Sequence, residues 1–233
     1  METSYRNVHW LFVSVLFIIF AGFFFTYFVK FPSFEGISVV KHFHGISFLL
    51  WFAMLIAQPI LIKKGKLEAH RLLGKISYVL APLIVVATVL VGRDVYYATL
   101  AKSAEPEAIG ALVISLPGTF IFAICYALSI FYRKNRALHM RYMICTVLPL
   151  LGPGLGRALI IFGKLPFPVG LAAADYTTIA MAVGLILYDW WKGKNFVPYA
   201  FALALILITH FLFDHNMGAA WQSIGGTFAH LFF

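Results

Sequence analysis

ISVVKHFHGISFLLWFAMLIAQPILI, residues 37–62, holds one lysine, no acidic residue, and KKGK immediately after it. About 20 helical residues cross a hydrocarbon core of about 30 Å, so this run predicts a membrane-spanning helix stopped by lysines. Working outward, comparable apolar runs lie at about 9–29, 71–92, 110–131, 139–162, 168–190 and 196–213. Short polar connectors separate them, among them IKKGKLEAH, YRKNRAL and WKGKN. The first run is too long for a signal h-region and lacks a small-residue cleavage site, so it reads as a retained helix. The expected architecture is all-α: a bundle of seven transmembrane helices in one integral membrane domain, residues 1–233.

Composition agrees. The 233 residues are 62% hydrophobic and 12% charged, with a mean hydropathy of +0.90. Soluble domains carry about 25% charged residues, which excludes a soluble fold. The net charge of +9 forms no compact basic face and so excludes nucleic acid as partner. Basic residues on membrane proteins mark cytoplasmic loops and meet anionic lipid. Lys63, Lys64, Lys66, Arg133, Lys134, Arg136, Lys192 and Lys194 all fall on one side, which predicts a cytoplasmic N-terminus and an external C-terminus. Residues 214–233 are too short to span. Trp221, Ile224, Phe228 and Leu231 recur near helical spacing, predicting a short helix that lies along the outer interface or caps the bundle. Cys125 and Cys145 lie in apolar runs and read as packing thiols.

Function is carried by polar groups inside the spans, because each charged side chain there costs about 2.5–3.5 kcal/mol. His44, Asp175 and His210 share a depth about 5–10 Å below the outer boundary. Asp214 follows His210 by one turn, and Arg157 lies near the outer end of the fifth span. Two chemistries fit. His44, His210 and either Asp175 or Asp214 form a set that holds Zn²⁺ with one position open for water, as an intramembrane hydrolase needs. Asp175 with His210 forms a proton relay for a transporter. Arg157 and Asp175 are expected to pair. LGPGLGR, residues 151–157, is expected to kink or unwind where it lines a cavity. On the cytoplasmic side His70 and His139 open two spans, each followed closely by an arginine, Arg71 and Arg141. Facing imidazoles are the usual axial ligands of a low-spin haem, and arginines hold its propionates.

The order KHFHG, then AHRLLGKISY, then HMRYM resembles an uncharacterised family of bacterial polytopic membrane proteins. Its four-helix core is similar to the di-haem transmembrane b-type cytochromes. The resemblance covers about residues 37–162 and marks His44, His70 and His139 as motif histidines. It implies the bacterial cytoplasmic (inner) membrane, haem b as cofactor, and electron transfer with a quinone or another small hydrophobic molecule. The fourth span, 110–131, has no histidine, so a second haem requires His210 to partner His44. No P-loop, nucleophile elbow or metal-binding cysteine pair occurs, and whether the chain is an enzyme stays open.

Overall fold

The computed structural model describes residues 2 and 5–233 and has no strand among them. Its helices are α1 (His9–Phe23), α2 (Val39–Lys63), α3 (Leu67–Leu100), α4 (Glu105–Ala111), α5 (Leu116–Phe131), α6 (Arg136–Cys145), α7 (Leu148–Ile161), α8 (Phe167–Trp191), α9 (Val197–Asp214) and α10 (Ala219–Phe232). Six segments are long and apolar enough to cross a membrane: α2, α3, α4 with α5, α6 with α7, α8 and α9. The chain is an integral membrane protein. Local signals fix several boundaries. Asn135 caps α6, its side-chain oxygen accepting from the amides of Ala137 and Leu138 at 3.2 Å each, and Ser38 caps α2.

Two elements differ from the sequence expectation, and a third, the tail, takes one of its two expected forms. The first apolar run is helical over only 15 residues, about 22 Å at 1.5 Å per residue, and turns follow. The Tyr27 hydroxyl meets His42 Nδ1 at 2.8 Å, which holds that irregular stretch against the start of α2. Helix α3 runs for 34 residues, about 51 Å, well beyond residues 71–92. Its last turns are stabilised by a second apolar core in which Tyr96 packs with Ile109, Leu112 and Trp221. The tail helix α10 is a packed cap with one open face. Trp221 is 3% exposed, and its indole donates to Ile109 O at 2.9 Å. Gly225 and Gly226 bring the helix close to Ile109, leaving Ile224, Leu231 and Phe232 exposed.

The segment 151–157 also departs from expectation, because it stays helical inside α7. The interruption lies earlier, at Thr146 and Val147. Pro149 has no N–H to offer the carbonyl of Cys145, so the α6 ladder ends there. The glycines serve packing instead. A Cβ on Gly22 of α1 would sit 2.0 Å from Gly154 O, and one on Gly154 would sit 2.7 Å from Ile19 Cα. Helix α1 therefore seats backbone to backbone on α7, and it packs on α2 at its other side. Lys63, Arg133, Arg136 and Lys192 cluster at the end of the bundle where α2 and α5 finish and α6 begins, here called the basic end.

Candidate functional site

Helices α5, α7, α8 and α9 line a half-open cavity of about 240 Å³ near the end opposite the basic one. Its walls are mostly aliphatic and aromatic, with Arg157, Asp175, Thr178 and Thr209 as the polar contributions. His210 Nδ1 from α9 contacts Asp175 Oδ2 from α8. The other ring nitrogen, Nε2, lies 3.6 Å from Asp214 Oδ2, one turn later on the same helix. Tyr176 sets its ring edge-on to the imidazole at 5.2 Å. The result is a row of carboxylate, imidazole and carboxylate, partly exposed, whose Asp175 end lines the cavity.

Arg157 is not bonded to Asp175. Its Nη1 donates to Pro153 O at 3.0 Å, and its guanidinium lies 4.5 Å from the centre of the Phe23 ring. The reason is competition: Asp175 is taken by His210 from the neighbouring helix, and the arginine stem runs back along α7. His44 also stands apart from the row. Its Nδ1 meets Thr88 Oγ1 of α3 at 3.4 Å, and its ring packs edge-on against Phe48 at 4.7 Å. It lies near enough to Arg157 for their charges to interact. Among the described residues no group of three or more His, Cys, Asp or Glu is arranged to hold a metal ion. His44, Asp175, His210 and Asp214 are thus not gathered as one ligand set, nor are His44 and His210 paired.

At the basic end His70 and His139 stand within electrostatic reach of each other. His139 Nδ1 lies 2.8 Å from Ser129 O, so that nitrogen carries the proton and donates, leaving Nε2 free. His70 Nδ1 is buried with no hydrogen-bond partner. Both features suit axial ligands, since a ligating imidazole is oriented by the bond its other nitrogen makes. The arginines suit haem less well. Arg71 is exposed. Arg141 is fully buried, and its donors are consumed by Asp189 (2.6 and 3.1 Å), Glu2 (2.9 and 3.0 Å) and Ala137 O (3.1 Å). Five N–H groups meet five acceptors, which leaves none for a propionate.

That network is the largest feature the sequence reading did not assemble. Tyr5 donates to Asp189 Oδ1 at 2.8 Å, and Tyr199 donates to Tyr5 at 3.0 Å. An arginine and an aspartate at mirror positions near the basic ends of two spans were the available signal. Glu2 and Tyr5 sit before the first helix, where no periodicity marks them. The Arg141 guanidinium beside Glu2 holds its carboxyl below the usual carboxylate range. A depressed pKa gives stability that is present above the unfolded value and lost as pH falls through the folded one. The thermal stability gap between wild type and Glu2→Gln in detergent should therefore be open at neutral pH. It should close as the solution is acidified; a gap that widens with acid contradicts the assignment.

No protein-family model matches the chain, and no curated protein or solved structure is detectably similar to it. The fold and site therefore define the protein: an all-helical integral membrane protein with a mostly apolar cavity carrying Arg157 and Asp175 at one end and a buried ion-pair network at the other.

Proposed function

We propose that the chain is a proton-coupled transporter or solute-binding protein of a bacterial cytoplasmic membrane. Seven helices cross, with the N-terminus in the cytoplasm and the C-terminus outside. The clustering of lysines and arginines at one end supports that orientation, and α1, seated on α2 and α7, supplies the seventh crossing. The observation that carries the function is the contact of Asp175, which lines the cavity, with His210 on the neighbouring helix. Ionisable groups at membrane depth facing a cavity are the usual parts of proton relays. Lipid surrounds the bundle, and the solute enters from the outer side. The test needs no known solute. A pH jump from about 8 to about 6 on protein adsorbed to a solid-supported membrane should give a transient charge movement. Asp175→Asn should shrink it at least about fivefold, removing one of the two groups that share the proton. Equal transients in the two proteins overturn the relay.

A second reading rests on the basic end. The unpartnered, buried His70 Nδ1 and the oriented His139 ring support one haem b between α3 and α6, serving electron transfer with a quinone. Bound there, haem would supply one-electron chemistry; the chain's own part is to present the two imidazoles. A Soret band lost in both His70→Ala and His139→Ala is the expected result. Wild type purified from haem-supplied cells without that band overturns it.

A further inference from the structure

Arg157 is a cation at membrane depth with no acidic partner within ion-pair distance among the described residues. Among the described residues its one hydrogen bond goes to a backbone carbonyl, although a guanidinium has five donors. The residue is exposed, its bond to Pro153 O folds it back one turn along α7, and its guanidinium lies 4.5 Å from the centre of the Phe23 ring. It also lines the same cavity as Asp175, whose carboxylate is already engaged by His210. The remaining walls, from Ile114, Ile121, Ile160, Phe167, Leu171 and Phe213, are apolar.

A cation without a counter-charge, facing an apolar chamber, is complementary to one kind of ligand. We infer that the cavity binds an oxyanion carried on an apolar body, with its head on the Arg157 guanidinium fork. The planar fork matches carboxylate and phosphate geometry in two parallel bonds. This inference deepens the proposed function and rests on that reading for its pH dependence, though not for the binding itself. The charged groups facing the anion are Arg157 from α7 and Asp175 from α8; His210 stands behind Asp175 with Asp214 3.6 Å from its other nitrogen, His44 approaches Arg157 from α2, and the α5 wall is apolar. An ionised Asp175 repels the incoming head. A proton taken up by the row removes that repulsion, so affinity for the anion rises as pH falls.

The test uses the full chain in phosphatidylcholine nanodiscs, titrated calorimetrically with octanoate, octanol and octylammonium. Octanoate should bind at least tenfold more tightly than the other two. Arg157→Gln should abolish that preference, Arg157→Lys should keep part of it, and Lys102→Gln, at an exposed loop, should leave it unchanged. Two arms separate the sources of the oxyanion. Octanoate binding undiminished by added phosphatidylglycerol assigns the cavity to a free acid, and displacement by that lipid assigns it to an anionic headgroup. Equal binding of the three eight-carbon probes, or octanoate binding indifferent to Arg157→Gln in a protein that Arg157→Lys shows to be folded, overturns the inference. The proton relay fails separately, if octanoate affinity in wild type does not change between about pH 8 and about pH 6.

Discussion

Arg141→Leu is expected to cost about 3–5 kcal/mol and to remove most folded protein from detergent extracts. The substitution deletes the only cation in a buried cluster and leaves Asp189, itself fully buried, without a counter-charge. Breaking a buried pair by removing one partner is strongly destabilising for that reason. Glu2 suffers less, because a quarter of its side chain is accessible. The informative companion is a triple variant, Arg141→Met with Asp189→Leu and Glu2→Gln. Replacing both charges of a buried pair by apolar groups is often neutral, so it should recover most of the lost stability. Fluorescence-detected size exclusion and thermal unfolding read both results. An Arg141→Leu protein as stable as wild type would remove the network from any account of the fold.

Gly22→Ala is the second large effect, about 3 kcal/mol at the upper end of what overpacking costs. The added methyl would sit 2.0 Å from Gly154 O. The atom it meets is backbone, so relief requires α1 to lift away from α7. A neighbouring glycine supplies the contrast. Gly152 has nothing within 4 Å of its Cβ position, and alanine is the better helix former by about 1 kcal/mol. Gly152→Ala should therefore be neutral or slightly stabilising, in the same helix and two residues from Gly154. Protease release of α1 from Gly22→Ala, but not from Gly152→Ala, is the expected pattern. Similar behaviour of both variants contradicts the close approach.

Length and hydropathy alone marked the spans, because about 20 apolar residues have few other uses. They failed where stability came from partners distant in sequence. Helix α3 outruns its apolar window because Tyr96 packs under Trp221, more than a hundred positions away. The glycines of 151–157 looked like a break in composition, and only the approach of α1 to Gly154 and of α8 to Gly156 makes those two positions seats. Depth counting brought Asp175 and His210 together correctly, since both groups sit at one level on adjacent helices. It misassigned Arg157, because depth does not tell which of two neighbours reaches a carboxylate first. It also placed His44 with them, although α2 turns that ring toward Thr88 on α3. The Glu2 and Tyr5 contributions to Arg141 and Asp189 lay outside any repeating pattern.

The attachment of α1 has a consequence for biogenesis. Its backbone seat is on α7, and the residues just before it are tied to Arg141 of α6 and Asp189 of α8. None of those docking partners exists when α1 leaves the ribosome. Helix α1 has α2 alone among its eventual neighbours until α6 and α7 follow, and its last tie, to Asp189, comes only with the end of α8. Nascent chains arrested before α6 should hold an α1 that an added protease strips away. Chains arrested beyond α8 should protect it, so a helix near the start of this sequence is among the last to be locked.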